Sequence, residues 1–113
     1  MKNNIDIQIY KTGNGKCPYL QWKSKLNRMA RAIISSRLVR IRLGNFGDCK
    51  LIQGIKGIYE LRIHTGSGYR IYFGKYNKKV VLLLCGGDKS SQKRDIQKSY
   101  QYWQDYLEFK KGV

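Results

Sequence analysis

The chain has 113 residues with 23 Lys and Arg against 7 Asp and Glu, a formal net charge of +16, and a hydrophobic fraction of 42%. That length makes one domain spanning 1–113 and not two, and the apolar content is that of a globular protein, which excludes extended disorder despite the charge. No apolar run approaches the ~20 residues of a membrane span, and Met1-Lys2-Asn3-Asn4-Ile5-Asp6 lacks the apolar core of a signal peptide, so a cytoplasmic protein without a membrane partner is expected.

Ile5, Ile7 and Ile9 alternate with Asp6, Gln8 and Tyr10, the period of a half-buried strand. Thr12-Gly13-Asn14-Gly15 turns the chain, and Pro18, the only proline, suits the first position of a helix, where its missing N–H costs nothing. Trp22, Leu26, Met29 and Ile33, then Ala30, Ile34, Leu38 and Ile41, make two helical stripes whose drift predicts a pair of helices broken near Asn27, an N-cap residue. Gly44 closes the helical region, and Asn45-Phe46-Gly47-Asp48 reads as loop. In Ile58 to Ile63, Tyr59, Leu61 and Ile63 point one way while Glu60, Arg62 and His64 point the other. Thr65-Gly66-Ser67-Gly68 is a hairpin turn. The next strand sets Tyr69, Ile71 and Phe73 against Arg70 and Tyr72. Asn77-Lys78 turns again, and Val80 to Cys85, apolar on both faces, is a central strand. Gly86 and Gly87 are expected to let the chain leave the sheet, and Asp88 or Ser90 to cap a last helix. Its stripe Ile96, Tyr100, Trp103, Leu107 is that of a face packed on the sheet. The fold class is α+β in the order β-α-α-β-β-β-α, a small and mainly antiparallel sheet packed on helices.

Charge points to the partner. Between Asp6 and Asp48 there is no acidic residue, while nine Lys and Arg fall there, Arg37, Arg40 and Arg42 among them. Such a surplus fits a polyanion, nucleic acid first. Cys17, Cys49 and Cys85 are odd in number and widely spaced, which argues for reduced thiols and against a disulfide framework or a zinc site. No metal and no cofactor is expected.

Together with the order of elements, four motifs carry a resemblance: Gly44-Asn45-Phe46-Gly47-Asp48-Cys49-Lys50, Tyr59-Glu60-Leu61-Arg62, Gly68-Tyr69-Arg70-Ile71-Tyr72-Phe73 and Leu82-Leu83-Leu84-Cys85-Gly86-Gly87-Asp88-Lys89-Ser90. The chain resembles the addiction-module killer proteins, the HigB-like branch of the RelE/ParE toxin superfamily of type II toxin-antitoxin systems, from about Ile5 to about Tyr106. The resemblance implies a ribosome-dependent mRNA endonuclease, active on mRNA held by the ribosome and its rRNA, and a cognate helix-turn-helix antitoxin as partner. A ParE-like inhibitor of DNA gyrase and a non-catalytic module that binds nucleic acid or protein are the alternatives.

RNA cleavage without a metal needs a base for the 2′-hydroxyl, cations around the phosphorane and an acid for the 5′ oxygen. His64 is the sole histidine, which excludes a two-histidine nuclease. Arg70 matches the arginine that superfamily nucleases set on the scissile phosphate, and Arg62 shares its face on the paired strand, so two guanidiniums can grip one phosphate. Glu60 is read as a salt-bridge partner that positions them, with a proton acceptor as the alternative. Lys50 and Lys89 lie near strand ends where loops deliver function. Tyr102 is the guess for proton transfer from the last helix, while Tyr72 and Lys56 join Arg37, Arg40 and Arg42 as RNA contacts. The face carrying Glu60, Arg62, Arg70 and Tyr72 is read as open to solvent. Trp22 and Trp103 are read as core.

Overall fold

The computed structural model describes residues 4–112; Met1 to Asn3, on which the reading of the N-terminus partly rests, lie outside them. Five strands form one sheet: β1 (Asp6–Ile9), β2 (Cys49–Leu51), β3 (Tyr59–Ile63), β4 (Tyr69–Tyr76) and β5 (Val80–Gly87), in the order β1-β5-β4-β3-β2. Three helices complete it: α1 (Pro18–Ser24), α2 (Arg28–Arg42) and α3 (Gln92–Lys111), the last entered through a 3-10 turn at Lys89–Ser91. β1 runs parallel to β5, and every other pairing is antiparallel.

The helix break falls where a cap can form. Asn27 has extended backbone, and its side chain accepts a hydrogen bond from the Ala30 N–H at 2.8 Å, satisfying a donor the helix cannot. Pro18 opens α1. At the far end of α2, Gly44 takes φ of +95°, which lets its N–H reach the Ile41 carbonyl at 2.8 Å while Asn45 N–H reaches that of Arg40 at 2.9 Å. Carbonyls of the last turn thus gain donors from beyond the helix, and the helix stops. Arg40 and Arg42 in the last turn favour the negative end of the helix dipole.

The sheet is a middle layer, covered on both faces at its centre. On one face Leu61, Ile63, Ile71, Phe73, Val81 and Leu83 pack with Tyr19 of α1 and with Ile34 and Ile41 of α2. On the other, Tyr72, Leu82, Leu84 and Cys85 pack with Trp103 of α3. Each fully buried isoleucine or leucine contributes about 1.5–3 kcal/mol. Met29, placed in a helical stripe, is exposed instead.

Glycines let the two tryptophans lie flat against opposite faces. A Cβ at Gly86 would come within 2.2 Å of the Trp22 ring, and one at Gly74 within 2.4 Å of Trp103. Gly86 and Gly87 thus belong to β5 and seat a helix rather than release the chain from the sheet. A register shift between Tyr72 and Phe73 leaves Leu84 without an opposite residue on β4, so Leu84 and Cys85 both reach the α3 side.

Two expectations are corrected here. There are five strands and not four, because Cys49-Lys50-Leu51 pairs with Leu61-Glu60-Tyr59 as an edge strand. The face of Glu60 and Tyr72 is not solvated at its centre: both side chains are fully buried beneath α3, whose apolar stripe needs a sheet face to cover.

Candidate active site

Arg62 and Arg70 stand directly opposite each other on β3 and β4. Like charges in that position repel, and each guanidinium is given a carboxylate of its own. Arg70 Nε lies 3.3 Å from Glu60 Oε2, an ion pair without hydrogen-bond alignment, with 17% of the arginine side chain and none of the glutamate exposed. The same Oε2 accepts from Gln92 Nε2 at 2.7 Å and from the Tyr72 hydroxyl at 3.2 Å. Glu60 is therefore a buried anchor, held from β4 and from the first turn of α3. Burial first, and then the Glu60 charge, push the Tyr72 hydroxyl far above its ordinary pKa, so it stays protonated and donates. With no exposed surface, Tyr72 has no ring face to offer a base, which corrects its assignment as an RNA contact.

Arg62 is paired with Asp48, Nη2 to Oδ1 at 3.4 Å, and the Asp48 backbone carbonyl accepts from the Arg62 N–H at 2.9 Å. Asp48 Oδ2 in turn meets His64 Nε2. The His64 hydrogen bond first, and the Arg62 charge with it, hold the Asp48 carboxyl below the usual carboxylate range. Asp48 thus bridges two residues that alternation puts on one side of β3.

These side chains border a cleft of about 140 Å³ lined by Arg62, His64, Tyr69, Arg70 and Lys89, with the hairpin residues Ser67 and Gly68 at its lip. Among the described residues the lining holds two guanidiniums, one lysine and one imidazole and no carboxylate; Asp48 and Glu60 buttress the arginines without lining the cleft. Asp88 places Lys89 at the rim: its Oδ1 accepts from the Ser90 N–H at 2.9 Å, and with Ser91 it forms a reciprocal capping box. Those Ser90 contacts hold the Asp88 carboxyl below its ordinary range.

The remaining candidates stand elsewhere. Lys50 is exposed on the edge strand, opposite Glu60 in register but outside the cleft lining, and Lys56 is exposed in the connection before β3. Arg37 donates to the Arg62 carbonyl at 3.0 Å and to the Phe46 carbonyl at 3.4 Å, so it ties α2 to β3. Arg40 and Arg42 are exposed on α2, against the opposite sheet face. Tyr102 stacks on Tyr10, ring centroids 4.9 Å apart, and borders a second groove with Lys16, Lys25, Arg94 and Lys98. At ~1.5 Å per residue it sits about 15 Å along α3 from Gln92, too far along the axis to share the cleft. The residues missed in the sequence are His64 and Asp48 as a pair. Alternation had put His64 on the face of Arg62, but Asp48 was assigned to a loop with no stated neighbour. Among the described residues no group of three or more His, Cys, Asp or Glu converges to hold a metal ion, and no helix is long and apolar enough to cross a membrane.

A family profile described as phage derived protein Gp49-like (DUF891) matches residues 22–101, which include both arginines, the His64–Asp48 pair and Lys89. The chain belongs to this family. The Gp49-like family is one of RelE-like toxins, and such a toxin has an antitoxin as its partner. An uncharacterized protein of Haemophilus influenzae is 51% identical over 79 residues, 69% of this chain and 78% of that protein. Among solved structures, a free-state mutant of the Escherichia coli toxin RelE superposes with a TM-score of 0.57 at 20% identity, covering 87% of this chain and 97% of that one. The α+β architecture is that of RelE.

Proposed function

We propose that this Gp49-like toxin is an endoribonuclease that cuts mRNA presented by the ribosome, within the HigB-like branch of its superfamily, and that a helix-turn-helix antitoxin holds it inactive. The observation that carries the reading is the cleft bordered by Arg62, Arg70 and Lys89 with no carboxylate in its lining. Fixed cations around a phosphate are what the developing phosphorane charge demands, and Glu60 and Asp48 hold the two guanidiniums in advance of the substrate. Arg70 and Arg62 contact the non-bridging oxygens, and Lys89 stands beside the leaving 5′ oxygen.

The cleft is a small open depression of about 140 Å³ rather than a groove along a strand. It grips charge but does not bend a strand into line for attack, so the ribosome must present the mRNA already splayed. The exposed arginines of α2, Arg40 and Arg42, with Lys50 and Lys56 nearer the sheet edge, then serve as contacts to rRNA or to the mRNA flanks. To test this, purified protein is incubated with a synthetic mRNA, with and without programmed ribosomes, and the ends are mapped by primer extension. Cutting only with ribosomes is expected. Equal cutting in both tubes contradicts ribosome dependence, and no cutting in either, with gyrase inhibited instead, replaces the reading.

A further inference from the structure

Arginines and lysines can hold a phosphate, but attack by a 2′-hydroxyl needs a group that takes a proton. Glu60 is fully buried and engaged by Arg70, Tyr72 and Gln92. Tyr72 is buried, and Tyr102 borders another groove. The one imidazole in the chain is different: its side chain is 72% exposed, and it borders the cation cleft. Its partner is held from two directions, since Asp48 pairs with the Arg62 guanidinium through Oδ1 and accepts the Arg62 backbone N–H. An ionised carboxylate can only accept a hydrogen bond, so in the neutral ring Nε2 carries the proton and Nδ1 keeps its lone pair. His64 directly follows the last residue of β3 and is two residues after Arg62, at most about 7 Å along the chain, so a phosphate on one and the adjoining ribose beside the other is a natural fit.

We infer that His64 is the proton acceptor for the 2′-hydroxyl, with Asp48 as the positioning residue that fixes its tautomer; this rests on the reading of the protein as an RNA endonuclease. In the step, Nδ1 takes the 2′-hydroxyl proton as the 2′ oxygen forms its bond to phosphorus. The bond from phosphorus to the 5′ oxygen breaks, and that oxygen takes a proton from the Lys89 ammonium; the His64 imidazolium then releases its proton to solvent and the lysine takes one up, which restores both groups. The products are a 2′,3′-cyclic phosphate and a 5′-hydroxyl. The charged groups that face the ring are Asp48 behind it and Arg62, Arg70 and Lys89 around the cleft, with the Tyr69 hydroxyl as a further titratable neighbour.

The test compares wild type, His64→Gln and Asp48→Asn on programmed ribosomes across pH, with Arg70→Lys as a control for the nuclease reading. His64→Gln is expected to lose about 10²–10⁴-fold in cleavage rate and the slope-one acidic limb of the pH profile, while still binding an mRNA with a 2′-deoxy nucleotide at the cut site. Asp48→Asn is expected to lose rate and to redistribute the ring between its two tautomers, read by nitrogen NMR. Because His64 is the sole histidine, its ring signals need no assignment, and in wild type they are expected to shift when the 2′-deoxy oligonucleotide binds. His64→Gln cutting at the wild-type rate with an unchanged profile overturns the assignment and leaves the nuclease reading standing. Ring signals that stay put while the oligonucleotide binds overturn it as well, even if the variant fails to fold. A wild-type protein that cuts nothing on ribosomes removes both.

Discussion

Replacing Arg70 by alanine is the natural way to ask whether it holds the scissile phosphate, but it does more than empty the cleft. It removes the cationic side chain that, among the described residues, is paired with Glu60, whose side chain has no exposed surface. Breaking a buried ion pair from one side costs about 3–5 kcal/mol, and since Arg70 keeps 17% exposure the low end, ~3 kcal/mol, applies here. Against a total stability of about 5–15 kcal/mol that is a large fraction. With a urea slope of about 1.5 kcal/mol per M, the midpoint of Arg70→Ala should fall by roughly 2 M. The double variant Glu60→Gln/Arg70→Ala removes the stranded charge and should be more stable than Arg70→Ala alone, yet equally inactive. Arg70→Lys should fold well and keep the charge while losing the planar fork, so its cleavage rate reports the phosphate contact. Urea unfolding followed by circular dichroism measures all three. An Arg70→Ala protein with the wild-type midpoint, or a double variant whose cost is the sum of its singles, would refute the coupling.

Tyr72→Phe should cost about 1 kcal/mol through the lost hydrogen bond to Glu60 while leaving RNA cleavage within about twofold; a hundredfold loss in a stable variant would show that the hydroxyl reaches substrate. Gly86→Ala drives a methyl into the Trp22 ring and should lower stability by about 1–3 kcal/mol, read as a fall in the urea midpoint without a change in slope. Asp48 has a folded-state pKa below the ordinary carboxylate value, so its contribution to stability is fully present above about pH 4 and is lost as pH falls through the folded-state value. Acid unfolding of Asp48→Asn should therefore be shallower than that of wild type; superimposable acid transitions would dismiss the link to His64 and Arg62.

Much of the architecture was legible because its signals are local. The Asn27 cap, the Pro18 start, the Gly44 stop and the Asn77-Lys78 turn, with φ of 53° and 61°, each depend on residues within one turn of chain. Cys49-Lys50-Leu51 is too short to show a period, and it is a strand only because β3 offers an edge. The solvated reading of Glu60 and Tyr72 had a different cause. Polar alternation says which residues share a face but not what covers that face. Two apolar stripes, one on α2 and one on α3, already required a sheet buried from both sides. The arginine pair was visible from alternation plus a hairpin. The Asp48 bridge was not, since it depends on how a loop returns to the sheet, and the place of Tyr102 in another groove was not, since the helix start is legible but how α3 crosses the sheet relative to the cleft is not.

The parallel pairing of β1 has a consequence for how the molecule forms. Asp6 meets Val80 and Ile9 meets Leu83, so the first strand made is the last that can be seated. β3, β4 and β5 close through short turns at little entropic cost, whereas β1 must wait for nearly the whole chain and pays the largest loop-closure entropy in the sheet. Asp48, Arg62, His64, Arg70 and Lys89 all lie in the locally connected part, so the cleft can assemble before the outer strand docks. Until it does, β5 presents an open edge of unpaired backbone N–H and C=O groups, a template for self-association. A growing chain of this toxin therefore acquires its cation cleft and an unpaired sheet edge at the same moment, and the edge closes only when β1 docks on β5.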